Sequence, residues 1–259
     1  MRLQPFAYIK EPIVESGGGD VFPTLSGTLV DYWRADQGTT LSGTNVIEWE
    51  GQENANVLED MTVGPTVSGS NAGFNNVDTL TFNGSTQGLG KIFSHLGGVN
   101  TGNLWMALYA APHGDGGGWG AIHGLSGLQS PFNFNEGLYR APSNTDTQQL
   151  WGYPPGGTNT SDDISFGKGI YTVGTGTSNP DGRIYLNKGT TINASRGSYS
   201  TYSTTRQGYG IGAYNVETGG GLHGKVDVAG AVIWTNPTDF ASAQADITAI
   251  ETYFSNIFG

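Results

Sequence analysis

The hydrophobic pattern at the carboxyl end constrains the fold most strongly, because its period changes once. Up to Trp234 the chain contains the short alternating runs YGIGAYN and GKVDVAGAVIW, which predict two β-strands. After Asn236 and Pro237, apolar residues recur at steps of three and four, which predicts an amphipathic helix. The apolar stripe of that helix is Phe240, Ala243, Ile247, Ile250, Phe254 and Ile257. The sequence therefore predicts a sheet protein whose chain closes with one helix packed on the sheet.

Composition limits the chemistry that the chain can perform. Its 259 residues suffice for one large β domain. There are no cysteines, which excludes disulfides, thiolate metal sites and a cysteine nucleophile. The net charge of −11, with only 11 lysines and arginines, argues against binding to nucleic acid or to an anionic membrane surface. No run approaches the roughly 18 apolar residues that a membrane helix needs.

The first 26 residues differ in composition from the rest of the chain. We interpret residues 1–26 as an extended arm with a glycine-rich linker, and residues 27–259 as one domain. Polar residues and prolines interrupt the apolar residues of the arm, so it does not resemble a signal peptide. We expect the arm to dock on a partner, with docking on its own domain as the alternative. The apolar residues expected to dock are Phe6, Tyr8, Ile9, Ile13 and Val14.

From Gly27 onward, short β-like runs alternate with turn residues at close spacing. This pattern predicts an all-β sandwich. The run 103–111 is apolar on both faces and should form a central strand. No long internal repeat is present, which argues against a propeller or a β-helix. The predicted strands are 29–34, 46–49, 79–83, 103–111, 119–123, 132–134, 137–140, 148–152, 169–174, 182–187, 209–213 and 225–234.

Four patches of the sequence follow one another in an informative order. They are DYWRAD from Asp31 with Trp49 after it, LTFNGS from Leu80, RIYLNKG from Arg183, and the stretch from Ile211 through LHGKV to the last helix. Together they resemble the concanavalin A-like, laminin G-like jelly-roll family, over nearly everything after Gly27. The resemblance implies two antiparallel sheets packed face to face, with long loops at one rim.

The chain departs from this family in its final strand. Family members often carry an acidic residue there, whereas this sequence has Ala229, Gly230 and Ala231. The difference removes a polar group and leaves the strand pattern intact. No metal or ligand role is therefore carried over to this position.

Glycosidases on this fold place carboxylates two residues apart on one strand, in an E-x-D-x-E or E-x-D-x-x-E motif. The sequence has no such motif, no G-x-S-x-G elbow and no closely spaced histidines. Its nearest carboxylate groupings are Glu48 with Glu50, Glu59 with Asp60, and Asp162 with Asp163. Only the first of these shares a strand face, and such a pair is usually a solvated surface. We therefore predict that the protein is not an enzyme.

Calcium is the one cofactor for which the sequence contains candidate ligands, and no other cofactor is expected. Calcium takes six to eight oxygens, which Asp- and Asn-rich loops can supply. The candidates are Asp115, the pair Asp162 and Asp163, and Asp181. No EF-hand or glycine–aspartate repeat supports them, and the same residue types are common in ordinary turns. The identity of any metal stays open.

The best candidate contact surface consists of aromatic residues in glycine- and proline-rich sequence. Trp119 follows three glycines and lies near Asp115, while Trp151 and Tyr153 precede two prolines. Together with Tyr139, these residues are candidates to stack on sugar rings or to anchor a protein partner. The alternative is that the two tryptophans fill the core of the sandwich.

These features favour three functions in order. A jelly-roll domain with an N-terminal arm, no signal peptide and no cysteine fits a bacteriophage virion structural protein, a role that the resemblance also implies. We predict a non-enzymatic head decoration, fibre or tail appendage, located in the virion, that docks on capsid or tail proteins through its arm, displays a lectin-like sandwich and forms a homo-oligomer. The alternative is a carbohydrate-binding or adhesion module that recognises host or environmental glycans. A hydrolase comes third, because the carboxylate motif is missing.

Overall fold

The structure is a computed structural model of the chain. It describes residues 21–93, 104–113, 120–127, 134–140, 148–152, 160–164, 167–174, 183–186, 190–193, 207–213 and 223–259. Within these ranges, the backbone alone is described for residues 93, 121, 125–127, 134–140, 148–152, 160–164, 183–186, 190–193 and 207.

Antiparallel strands make up most of the described chain, and one long helix follows them. The strands are β1 (Thr28–Arg34), β2 (Thr39–Ser42), β3 (Asn45–Glu50), β4 (Val57–Asp60), β5 (Thr66–Asn71), β6 (Val77–Asn83), β7 (Leu89–Phe93), β8 (Leu104–Pro112), β9 (Gly120–Gly127), β10 (Phe134–Arg140), β11 (Gln148–Gly152), β12 (Thr160–Ile164), β13 (Gly169–Gly174), β14 (Arg183–Leu186), β15 (Thr190–Asn193), β16 (Gln207–Ile211) and β17 (Lys225–Thr235). A short 3-10 helix, Ala72–Phe74, joins β5 to β6, and helix α1 is Phe240–Phe258. Among the described residues, no helix is long and apolar enough to span a membrane.

Hydrogen bonds connect these strands into one continuous ladder that contains two runs. The front run has the order β2–β3–β4–β7–β16–β9–β10–β11–β12. The back run has the order β15–β14–β13–β8–β17. On the other side of β17, its first half pairs with β6 and its second half with β1, and β6 pairs in turn with β5. The two runs join where Asn45 of β3 pairs with Thr66 of β5.

A hydrophobic core is shared by the two runs. Buried side chains from β1, β3, β6, β8, β16 and β17 form a single cluster, in which Trp33, Trp49 and Phe82 are fully buried. The indole N–H groups of the tryptophans donate to backbone carbonyls, Trp33 to Asn56 at 2.9 Å and Trp49 to Arg34 at 2.7 Å. Their only polar atoms are thereby satisfied, so burial of these large rings favours folding. A core shared between facing strand runs makes the fold a β-sandwich.

Helix α1 packs on the back run, on the side away from that core. Its N-cap is Asp239, whose carboxylate accepts the backbone N–H of Ser242 at 2.7 Å. The helix buries its apolar face in a second hydrophobic cluster that includes Trp105 of β8 and Trp234 of β17. The predicted stripe is confirmed, since Ala243, Ile247, Ile250 and Phe254 are buried and Phe240 and Ile257 pack beside them.

The end of the predicted linker contacts the domain. Ser26 donates its backbone N–H and its hydroxyl to the two carboxylate oxygens of Asp246 in α1, at 2.8 and 2.7 Å. Phe22 stacks on Tyr32 with ring centroids 4.2 Å apart and meets Tyr253 edge-on at 5.1 Å. The preceding arm, with Phe6, Tyr8, Ile9, Ile13 and Val14, lies outside the described residues. Docking of the arm therefore stays a prediction.

The prediction of a mostly β chain with one terminal helix is confirmed. The sequence predicts two separate sheets, whereas the described strands form one ladder that is nearly closed. The difference arises at β5, which pairs with β6 along its length and also reaches β3 at one position. This contact covers backbone groups that an open sheet edge would leave unpaired. The jelly-roll classification itself stays a prediction.

Candidate functional site

Strand pairing brings two of the predicted site residues together. Tyr139 on β10 and Trp151 on β11 are direct partners in the antiparallel ladder. The same row continues to Ala121 on β9 and to Ser161 on β12. Direct antiparallel partners have Cβ atoms about 5 Å apart and belong to one face of the sheet. Tyr139 and Trp151 therefore occupy one patch, called the aromatic pair below.

A β-bulge sets the register of this row. Leu138 pairs with His123, but the next residue of β10, Tyr139, pairs with Ala121. One extra residue of β9, Ile122, is thus accommodated between these two pairings, and its side chain is 1% exposed. Bulges bend the strand locally and are common beside functional sites. The bulge brings Ala121, next to the loop of residues 114–119, level with the aromatic pair.

A row of four glycines crosses the front run next to the aromatic pair. Each is directly paired with the next: Gly137 of β10, Gly124 of β9, Gly210 of β16 and Gly90 of β7. Because glycine has no side chain, this row presents only backbone. Strands lie about 4.8 Å apart, so the row is roughly 15 Å long. It begins two residues from Tyr139, which is the spacing of positions on one strand face.

Two carboxylates lie at the far end of this glycine row. Gly90 pairs with Glu59 on β4, and Glu59 pairs with Glu48 on β3. Both glutamates are exposed. Like charges directly opposite each other destabilise a ladder, so the pair adds negative charge without stabilising the strands. The sequence groups Glu48 with Glu50, and it contains no local signal for the partner across the strands.

A polar cluster anchors the start of the loop 114–119. His113 Nε2 lies 3.0 Å from Asp227 Oδ2, and the Thr81 hydroxyl donates to Asp227 Oδ1 at 2.6 Å. The Asn71 amide reaches the same carboxylate at 3.4 Å. Burial by itself raises the pKa of Asp227, but the hydrogen bonds from His113 and Thr81 outweigh burial and lower it. Both oxygens already accept hydrogen bonds, so this cluster serves to hold the loop's first residue in place.

A buried histidine lies in the core under the front run. His123 is 1% exposed, its Nδ1 lies 3.4 Å from the Tyr209 hydroxyl, and its Nε2 has no hydrogen-bond partner. Burial lowers the pKa of His123 to about 3. Burial also raises the pKa of Tyr209. Both side chains are therefore neutral in the folded protein at neutral pH.

We expect His123 to make the protein less stable in acid. The unfolded imidazole binds a proton below a pH of about 6.5, whereas the pKa in the folded protein is about 3. Because the unfolded state binds more protons between these values, acidification through this window lowers the free energy of unfolding by up to about 1.4 kcal/mol per pH unit. Urea unfolding between about pH 7 and pH 4.5 should show a shallower acid dependence for His123→Leu than for the wild type. Equal slopes would contradict this role, because all other titrating groups are common to both proteins.

Several predicted site residues lie outside the part of the chain that the structure describes. They are Trp119, Tyr153, Asp115 and Asp181. Asp162 and Asp163 are on β12, where they pair with Leu150 and Gln149. Within the described ranges, no group of three or more His, Cys, Asp or Glu residues is arranged to hold a metal ion. The calcium candidates stay predictions.

The fold is similar to part of known sialidase structures. Trypanosoma rangeli sialidase in complex with sialic acid matches 93% of this chain and 35% of its own chain, with a TM-score of 0.61 and 16% identity. A second structure of Trypanosoma rangeli sialidase matches 95% of this chain and 35% of its own, with a TM-score of 0.59 and 16% identity. The chain thus spans about a third of the length of these sialidases, and at such identities the likeness shows the fold alone. No protein-family model and no curated protein sequence matches the chain.

The likeness contradicts the prediction that the protein is not an enzyme, and that prediction is wrong. It rested on the absence of an E-x-D-x-E motif, which tests for carboxylates on a single strand. Carboxylates also come together across strands, as Glu48 and Glu59 do. The same comparisons contain no support for a role in a virion, and they agree better with the carbohydrate-binding alternative.

Proposed function

We propose that the chain is a carbohydrate-binding sandwich of the lectin-like, concanavalin A-like jelly-roll type, in which a glycan stacks on Tyr139 and Trp151. The observation that carries this proposal is the direct pairing of the two residues in the ladder. A Cβ separation of about 5 Å allows one or two adjacent sugar rings to contact both aromatic groups. Strands hold such residues more rigidly than loops do, which favours a preorganised site.

Two further features support a glycan ligand at this position. The glycine row beside the aromatic pair carries no side chains that would block a ligand longer than one sugar. The fold is also shared with part of a sialidase whose structure contains sialic acid, which favours a carbohydrate ligand by analogy. The resemblance of the four sequence patches to the jelly-roll family points in the same direction.

Substitution of the aromatic pair tests the proposal. Trp151→Ala should weaken glycan binding at least about tenfold, because loss of one stacking contact costs roughly 1–1.5 kcal/mol. Tyr139→Ala should weaken it several-fold for the same reason. A glycan array identifies the ligand, and titration calorimetry then measures the affinity of each variant. Gln149→Ala, on the same strand as Trp151, is the matched control and should leave affinity unchanged.

The melting temperature distinguishes a contact residue from a core residue. A binding residue should lose affinity on substitution while the melting temperature of the variant stays close to the wild type. If Trp151→Ala instead lowers the melting temperature by many degrees and the folded fraction still binds, Trp151 fills the core and the assigned site is wrong. Release of reducing sugar should be measured on the same glycans, because the fold is shared with part of sialidase chains.

A virion role remains a prediction from the N-terminal arm and the family resemblance. The same holds for the predicted capsid or tail partners, the homo-oligomer and the location in the virion. No contact of the described residues favours this role over carbohydrate binding.

A further inference from the structure

Charge is distributed unevenly between the two runs of strands. The strands of the front run contain seven acidic and two basic residues, whereas those of the back run contain three of each. The net charge of the front-run strands is therefore −5, and that of the back-run strands is zero. A surface of one sign repels ligands of the same sign and favours neutral or opposite ones.

The acidic residues of the front run lie on both sides of the aromatic pair. On one side, Asp162 and Asp163 follow Ser161, the direct partner of Trp151 on β12. On the other side, Glu48 and Glu59 lie beyond the glycine row. Arg140 and Lys91 are the two basic residues within the strands of this run.

We propose that the aromatic pair selects uncharged glycans and that the negative potential of the front run excludes acidic ones, including sialylated glycans. This inference rests on the proposed carbohydrate-binding function and specifies its ligand class. Stacking on aromatic rings does not distinguish a neutral sugar from an acidic one, so the discrimination must come from charge. Repulsion of the wrong ligand is a common route to specificity.

Paired glycans test this proposal directly. An array of glycan pairs that differ only by one terminal sialic acid should show binding to the neutral member of a pair. In solution at about 10 mM salt, the neutral member should bind at least about tenfold more tightly. The ratio should fall to about twofold at 1 M salt, because the Debye length shrinks from about 30 Å to about 3 Å.

Charge-removing variants provide the second readout. Glu48→Gln/Glu59→Gln should raise the affinity for the sialylated member about threefold at about 10 mM salt and leave that for the neutral member unchanged. Asp78→Asn removes one negative charge from β6 of the back run and should change neither affinity. Equal or tighter binding of sialylated members, or a preference that persists in 1 M salt, overturns this inference and leaves carbohydrate binding intact. Absence of binding to every glycan overturns the proposed function and this inference with it.

Discussion

Asp31→Ala should lower the free energy of unfolding by about 3–5 kcal/mol. Asp31 lies on β1 with its side chain fully buried, and its carboxylate accepts five N–H hydrogen bonds of 2.8 to 3.3 Å. The donors are the backbone N–H groups of Tyr32, Glu53, Asn54 and Asn56 and the side-chain amide of Asn56. The loop between β3 and β4 is thus organised around one carboxylate.

The large effect follows from what alanine leaves behind. A hydrogen bond to a charged acceptor contributes about 1.5–3 kcal/mol, and a buried donor without a partner costs about 1–3 kcal/mol. The contributions are not additive, because water can reach the exposed side of the loop near Glu53 and Asn54. Gly51 also packs on the carboxylate, since a Cβ at this position would lie 2.2 Å from Asp31 Cγ. Gly51→Ala should therefore be destabilising through the same contact.

Urea unfolding of wild type and variants measures the expected loss. Asp78→Ala is the matched control, because its carboxylate accepts one backbone N–H, from Ser70 at 3.1 Å, and the variant should lose less than about 1 kcal/mol. Asp31→Asn keeps the volume but turns an amide N–H toward donors, so it should recover only part of the stability. A loss below about 1 kcal/mol for Asp31→Ala would mean that the loop keeps its conformation without the carboxylate.

The sequence predicts those elements whose pattern is local. Helix α1 is recognisable because its apolar stripe has its own period, and β8 and β17 are recognisable because they are apolar on both faces. β2 (Thr39–Ser42) and β5 (Thr66–Asn71) are missing from the predicted strands. Their polar residues resemble turns, and they form strands because neighbouring strands supply the ladder partners.

Residues of the candidate site are predictable one by one, but their arrangement is not. Tyr139 and Trp151 are evident as aromatic residues in polar sequence, yet their pairing joins strands whose register depends on a bulge in β9. The glycine row comes from four strands that are distant in sequence. Asp31 is part of a family-like motif, and the sequence does not indicate that its carboxylate faces inward to hold a loop 22–25 residues away. Cross-strand neighbours depend on pairing over long sequence separations.

The absence of a family-like acid in β17 has a structural cause that leads to the second large prediction. Gly230 lies under the ring of Phe254 in α1, and a Cβ there would lie 2.2 Å from Phe254 Cε1. That ring is fully buried and stacks on Tyr109 with centroids 5.8 Å apart. It therefore has little room to move. Ala229 packs under the helix, whereas Ala231 belongs to the core between the runs, so these three residues accommodate packing on both sides of the strand.

Gly230→Ala should lower the free energy of unfolding by about 3 kcal/mol, because overpacking against a fixed ring displaces either the helix or the strand. Gly69→Ala on β5 is the matched control, since a Cβ there meets its nearest listed neighbour, Asp78 Oδ1, at an ordinary 3.8 Å. It should change stability by less than about 0.5 kcal/mol. Thermal or urea unfolding measures both variants.

A double-mutant cycle locates the origin of the loss. Phe254→Leu removes the ring edge that a Cβ at Gly230 would meet, so Gly230→Ala should cost about 1–2 kcal/mol less in that background than in the wild type. Gly230 also follows the register shift between β17 and β8. If its substitution costs the same with and without the Phe254 ring, the strain comes from this irregular backbone, and the close contact with the helix is not what requires glycine here.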